Sequence, residues 1–146
     1  MSWGSTDSSL ISVSIYSIMF KKYHEIEKEV TVLYKTIQQY WDKRYSGYSQ
    51  KNKKEIESVQ IEKWKYELIR WLPKERTSSI LDIGTGPGFF PIVLTQMGYT
   101  NVTAIDASKN MLQIAQENLI KYGKKSSTVR YLQMNAQELD FEPESF

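Results

Sequence analysis

Apolar residues recur every three or four positions in two stretches of the N-terminal half. The two stretches are Tyr23–Trp41 and about Lys54 to Leu72, and in both of them charged residues separate the apolar ones. This spacing is typical of amphipathic helices, and Pro73 predicts where the second one ends. The polar residues 45–53 are predicted to form a loop between the two helices.

After Arg76 the pattern changes to short apolar segments that alternate with helical ones. Strands are predicted at Ser79–Ile83, Asn101–Asp106 and Thr128–Met134, and helices at Phe89–Met97 and, capped by Ser108, through about Tyr122. Strands that alternate with helices predict a parallel sheet with right-handed crossovers.

Composition excludes several classes of function. The chain has no cysteine and a single histidine, His24, so neither a disulfide framework nor a thiolate or multi-histidine metal site is expected. A net charge of +2 does not indicate nucleic-acid binding. No apolar stretch approaches the roughly 18 residues of a membrane helix. We therefore expect a cytoplasmic protein with no metal, nucleic-acid or membrane partner.

The segment Asp82-Ile83-Gly84-Thr85-Gly86-Pro87-Gly88 joins the first predicted strand to a helix. Glycines permit positive φ and let a ligand approach the backbone, and the helix N–H groups point into the same space. A tight turn without a ligand is the alternative, but three glycines at alternate positions favour a binding loop. Asp106 ends the second strand, where an acidic residue accepts hydrogen bonds from ribose in mononucleotide-binding units or caps the next helix.

These residues resemble class I S-adenosylmethionine-dependent methyltransferases. The resemblance lies in Ile80–Gly88, in Ala104–Ser108 with Met111-Leu112, in Asn135-Ala136, and in Tyr40-Trp41-Asp42-Lys43-Arg44 with Tyr48. The glycine spacing is G-x-G-x-G, whereas a dinucleotide fingerprint has G-x-G-x-x-G. At the third of these segments the family more often carries Asp-Ala.

The resemblance implies an α/β fold, a Rossmann-like doubly wound parallel sheet, with S-adenosyl-L-methionine as cofactor. It implies cofactor-binding roles for Asp82, Gly84, Thr85, Gly86, Asp106, Ala107, Met111, Asn135 and Ala136, and a lid of Trp41, Arg44 and Tyr48. Asp106 would take the ribose diol, and Asp82 would hold the ammonium group or brace the loop.

Other implied residues have alternative roles. Met111 would pack on adenine or belong to the core, because methionine fills gaps readily. Asn135 would face the adenine amino group or form a turn at the strand end. Trp41 would close over the cofactor or simply end the core face of its helix.

The change of pattern near Arg76 divides the chain into a disordered or irregular N-terminus (1–22), a helical cap (23–77) and a Rossmann-like half domain (78–146). Within the first part, residues 10–20 fit either a strand or the start of a helix. The family's sheet continues beyond three strands, so we expect an N-terminal fragment that is truncated after strand 3 and inactive alone. Its first strand would have an open edge, through which copies could self-associate. The expected function is methyl transfer to a small molecule, with no general base identified. The alternatives are an NAD(P)-dependent oxidoreductase and a non-catalytic truncated product.

Overall fold

The computed structural model describes residues 8–125 and 128–146, with side chains from residue 21 onward except those at 45, 46, 48 and 49. The chain forms two compact units, Met1–Ile37 and Gln38–Phe146. The first helix, α1, extends over Ser8–Ile56 and contributes to both units.

In the first unit, α1 already includes residues 8–22, which the sequence analysis expected to be irregular. The sequence from 8 to 46 contains neither proline nor glycine, so nothing in it interrupts helical hydrogen bonding. The prediction of an irregular backbone is therefore wrong for residues 8–22, and of the two alternatives left open for residues 10–20 the helix is the one observed. Residues 1–7 of the expected irregular segment lie outside the described residues.

In the second unit, the loop predicted at 45–53 is also helical, because α1 continues to Ile56. Ile56 is buried in a core cluster with Phe89 and Ile92, and this burial stabilises the end of the helix despite its polar composition. The helical backbone is interrupted at Ser58. Its hydroxyl donates to the Glu55 carbonyl at 2.8 Å and accepts the Gln60 N–H at 3.2 Å. The second helix, α2, spans Gln60–Leu68 and is shorter at both ends than the predicted helix from about Lys54 to Leu72.

The remaining elements follow the predicted order closely. They are β1 (Ser79–Ile83), α3 (Phe89–Gln96), β2 (Asn101–Asp106), α4 (Lys109–Tyr122) and β3 (Val129–Gln133). The strands form a parallel sheet in the order β1-β2-β3. This arrangement confirms the Rossmann-like α/β prediction for this part of the chain.

The central strand is the most deeply buried of the three. Its segment Val102–Ile105 lies in the interior, and Val102 packs with Leu94 of α3 and Tyr99 of the connecting loop. Thus one strand, β2, supports both neighbours and ends at Asp106, between the ends of β1 and β3.

Candidate cofactor site

The carboxyl ends of β1 and β2 bring the glycine-containing loop against Asp106. The N–H groups of Gly84 and Thr85 both donate to the Ile105 carbonyl at 2.9 Å. The Gly86 N–H donates to Asp106 Oδ2 at 2.8 Å. The loop and the acidic residue, which are 20 positions apart in sequence, therefore form one connected structure.

The three glycines of the loop have two different roles. All three have positive φ, at +72° for Gly84, +53° for Gly86 and +86° for Gly88. A Cβ added at Gly84 or Gly86 would meet nothing within 4 Å, whereas one at Gly88 would lie 2.8 Å from the Ala115 Cβ. Gly84 and Gly86 therefore border open space, and Gly88 allows the start of α3 to pack closely on α4.

Asp106 braces the site through both of its carboxylate oxygens. Oδ2 accepts the Gly86 N–H, and Oδ1 accepts the Ser108 N–H at 2.9 Å. A carboxylate has about four acceptor positions, so about two remain for other donors. The hydrogen bonds that Asp106 makes to the loop and to the start of α4 are therefore compatible with the ribose-binding role that the sequence suggested.

Asp82 is the unusual group of the site. Its Oδ2 and the Thr85 Oγ1 are both buried without a hydrogen-bond partner among the described residues. Burial raises the pKa of Asp82, the nearby Thr85 hydroxyl lowers it, and the negative charge of Asp106 raises it again. A buried carboxyl oxygen without a partner is costly for the fold, and acidic groups with shifted pKa values concentrate at binding and catalytic sites.

Tyr131 adds a neutral group on β3, across the central strand from Asp82, and no pattern in the sequence indicated it. Asp82, Ala104 and Tyr131 occupy one row across the three strands. The Tyr131 hydroxyl donates to the Ala115 carbonyl at 3.3 Å. Burial and the negative charge of Asp82 raise the pKa of Tyr131, so its phenol stays protonated at neutral pH. Only the strand register, which the sequence does not specify, reveals this neighbour.

The part of α1 in the second unit reaches the edge of the site through Asp42. The buried Ser108 hydroxyl donates to Asp42 Oδ1 and also accepts the Met111 N–H, which caps α4. Asp42 belongs to one of the segments that resemble the methyltransferase family, but it had no predicted role, because its partner is 66 positions away. This contact holds α1 beside the end of β2.

The predicted lid residues lie on the same stretch of α1. Trp41 is half-buried and meets the Tyr40 ring edge-on at 5.2 Å between centroids. Arg44 is exposed, and its Nη1 donates to the Tyr40 hydroxyl at 2.6 Å. The side chain of Tyr48 lies outside the described residues. The lid role of these residues stays a prediction.

The four remaining predicted residues lie around the ends of β2 and β3. Met111 is only 2% exposed, which fits its alternative role in the core. Asn135 Oδ1 accepts the Gln137 N–H at 3.0 Å, which fits its alternative role in a turn. Ala107 is half-buried, with its carbonyl accepting from Gln133 Nε2 at 3.0 Å, and Ala136 is exposed. Cofactor contacts by these residues remain predictions.

Within residues 8–125 and 128–146, no group of three or more acidic, histidine or cysteine side chains is arranged to hold a metal ion. No helix in these ranges has the length and apolar character needed to cross a membrane.

The geometry thus joins a loop open to a ligand, a carboxyl with one buried, unsatisfied oxygen and a second carboxylate with free acceptor positions. A family model described as a methyltransferase domain matches residues 80–146, which include all of these groups. The resemblance to class I S-adenosylmethionine-dependent methyltransferases is confirmed for this part of the chain.

The relatives that match this chain are named as methyltransferases for different acceptors. The chain is 34% identical over 98 residues to EEF1A lysine methyltransferase 2 of Danio rerio, covering 63% of this chain and 42% of that protein. It is 31% identical over 108 residues to demethylmenaquinone methyltransferase of Bacillus licheniformis, covering 73% of this chain and 44% of that protein. The chain therefore spans less than half the length of these relatives.

A solved structure shows the same fold. Magnesium protoporphyrin IX methyltransferase from Synechocystis PCC 6803, with bound SAH, aligns with a TM-score of 0.51 and 17% identity. The alignment covers 73% of this chain and 53% of that one. At this identity the likeness concerns the fold alone, and it supports the Rossmann-like assignment.

Proposed function

We propose that this protein binds S-adenosyl-L-methionine at the Gly84–Gly86 loop and transfers its methyl group to an acceptor. The observation that carries the proposal is the buried Asp82 Oδ2, which has no hydrogen-bond partner among the described residues, beside a loop that is bonded to Asp106. An amino-acid ammonium near Asp82 would give its buried Oδ2 the donor that it lacks, and a ribose diol near Asp106 would use the acceptor positions that remain there. The methyltransferase-domain match over the same residues supports this assignment.

S-adenosylmethionine, when bound, supplies a methyl group on a positively charged sulfur. The protein's own residues have to bind and orient it and keep water away. Gly84 and Gly86 leave room for the ligand against the backbone. Asp106 offers its remaining acceptor positions, and Asp82 offers a negative charge where solvent is scarce. Trp41, Arg44 and Tyr48 complete the proposal as a lid over the site.

An NAD(P)-dependent oxidoreductase is the alternative that the site disfavours. A dinucleotide places its negatively charged pyrophosphate at the glycine-containing turn. Here that turn lies between two acidic residues, Asp82 and Asp106, which interact electrostatically with each other. A second anionic group at this position would be repelled, whereas an ammonium would be attracted.

The class of acceptor is part of the proposal. A small molecule is the acceptor expected from the sequence, and the demethylmenaquinone relative supports an organic ring as the acceptor. The EEF1A relatives instead support a lysine amine of a protein; the Homo sapiens one is 41% identical over 59 residues, covering 38% of this chain and 25% of that protein. We place the protein lysine first, because the higher identities belong to those relatives. A cytoplasmic location also remains a prediction.

The test is transfer of a labelled methyl group from S-adenosylmethionine in a lysate supplied with the purified protein. We expect label in the protein fraction for a lysine acceptor and in the solvent-extractable fraction for a small molecule. Gly86→Ala would abolish transfer, because its methyl group enters the open space of the loop at a positive φ. Gly47→Ala is the matched control, since that glycine is exposed on α1. Equal transfer by both variants would contradict the proposal. No transfer by the wild type would agree with the expectation that this chain is inactive alone, and binding of S-adenosylhomocysteine would then test the cofactor site.

A further inference from the structure

The first unit carries a row of exposed apolar side chains that the cofactor site does not use. We call it the heptad stripe; it comprises Tyr23, Ile26, Val30, Leu33 and Ile37 on α1. These side chains are 41–66% exposed in the described structure. Isolated exposed apolar residues are ordinary on protein surfaces, but a continuous row along one helix indicates an interaction surface.

The spacing of the stripe is that of a coiled coil. Its members follow one another at alternating intervals of three and four residues, so Tyr23, Val30 and Ile37 occupy a positions, and Ile26 and Leu33 occupy d positions. In the sequence, Tyr16, Met19 and Tyr40 continue the same register. Residues 16–40 therefore carry eight consecutive apolar a and d positions, which approaches four heptads.

The kinds of residue at these positions favour a particular assembly. β-branched residues at a combined with leucine at d favour two parallel strands, and Val30, Ile37 and Leu33 fit that rule. The register is interrupted on both sides, by Ser12 at a d position and by Arg44 at an a position. The pattern therefore specifies a contact of defined length.

The flanking charges fit a second copy of the same helix in register. In a parallel pair, each g residue faces the e residue five positions later on the partner. Lys22 would then face Glu27 of the second copy, and Glu29 would face Tyr34. Lys22 and Glu27 are exposed, and Glu27 Oε2 is also 3.5 Å from His24 Nδ1 on its own helix. These two facing pairs contain one attraction and no like-charge repulsion.

We propose that a second copy of this chain covers the heptad stripe, forming a parallel, in-register, two-stranded coiled coil through α1. This surface is separate from the exposed edge of β1, through which self-association was expected from the sequence. It also does not depend on the proposed methyltransferase activity.

Sedimentation of the full chain over a range of concentrations tests the proposal with two matched substitutions. Val30→Lys places a charge at an a position, and Val32→Lys places the same charge on a 64% exposed valine outside the stripe. We expect a dimer whose dissociation constant rises by about tenfold or more in Val30→Lys and by less than about twofold in Val32→Lys. Circular dichroism of both variants verifies that α1 remains helical. A monomer at every concentration, or equal effects of both substitutions, would overturn the proposal.

Introduced cysteines test the orientation, because the chain has none of its own. In a parallel pair, Tyr23→Cys places two thiols side by side near the same end of both helices. Mild oxidation should then give a disulfide-linked dimer. Lys28→Cys, at the outward f position, is the control and should form no disulfide link between the two copies under the same conditions. A dimer that cross-links at neither position, or equally at both, would show that α1 pairs antiparallel or that another surface, such as the β1 edge, mediates the contact.

Discussion

Helix α1 and the segment from β1 to β3 form their boundaries in different ways. Between β1 and β3, single residues determine where elements begin and end: Gly88 begins α3, and Ser108 caps α4. In α1, no residue from 8 to 46 breaks the helix, and the helix ends where Ile56 is buried and Ser58 turns the chain. Local signals therefore define boundaries in one region, and tertiary packing defines them in the other.

The same substitution should have opposite effects in the two regions. Gly88→Ala puts a Cβ 2.8 Å from Ala115 at a φ of +86°. We expect it to lower the free energy of unfolding by about 2–5 kcal/mol, from left-handed strain and overpacking. Gly47→Ala, with no atom within 4 Å of its Cβ, should raise it by up to about 1 kcal/mol.

Urea unfolding monitored by circular dichroism measures both effects on the same protein. The contrast disappears if Gly88→Ala unfolds at the same urea concentration as the wild type. That result would mean that α3 and α4 can separate slightly to accept the methyl group, so the close contact would not define the loop.

The same contrast explains what the sequence could predict. The order of strands and helices after Arg76, the parallel sheet and the capping role of Ser108 were predicted and are confirmed, because glycines, caps and short apolar runs are local signals. At the end of α3, Gly98 has φ +94°, and the Tyr99 N–H donates to the Leu94 carbonyl at 3.1 Å, which completes a glycine C-cap.

What the sequence could not predict depends on distant partners. The helix over 45–53 was missed because the core cluster that buries Ile56 includes residues of α3 more than 30 positions away in sequence. The contact of Asp42 with Ser108 and the position of Tyr131 beside Asp82 also follow from tertiary packing and strand register. The loop chemistry was visible in the sequence, but the division of roles among its glycines was not.

Asp106 provides the next test of the site. Asp106→Ala removes the acceptor of the Gly86 and Ser108 N–H groups, and with it the proposed acceptor of the ribose diol. We expect binding of S-adenosylhomocysteine to weaken by about 1.5–3 kcal/mol, the range for hydrogen bonds to a charged group. Lys109→Ala, on the exposed side of α4, should change binding little. Equilibrium dialysis measures both affinities. A similar loss of affinity in both variants would show that Asp106 is not part of the binding site.

Ligand affinity should also depend on pH through Asp82. The pKa of this carboxyl is raised above 3.8, chiefly by burial, so the free protein protonates it more readily than an exposed acid. An ammonium group requires the ionised form, and affinity should therefore fall as pH drops through the raised pKa, by at most about tenfold per pH unit. Asp82→Asn should bind weakly with a flatter pH profile. An unchanged profile would mean that Asp82 only braces the loop.

A smaller loss of stability is expected when the neutral hydrogen bond between α4 and the loop is removed. The buried Asn118 donates its Nδ2 to the Pro87 carbonyl at 2.9 Å. Asn118→Ala should lower stability by about 1 kcal/mol. Gln113, exposed on the same helix and bonded to Glu117 at 3.2 Å, is the control, and Gln113→Ala should cost less than about 0.5 kcal/mol. Thermal unfolding compares the two, and an equal loss would show that the Pro87 contact does not stabilise the loop.

Calorimetric titration of the protein with S-adenosylhomocysteine and, separately, with NAD tests the identity of the site most directly. The expected result is saturable heat with S-adenosylhomocysteine, none with NAD, and loss of the signal in Gly86→Ala but not in Gly47→Ala. Saturable heat with NAD alone, or S-adenosylhomocysteine binding that Gly86→Ala leaves unchanged, would contradict the assignment of this loop as the cofactor site.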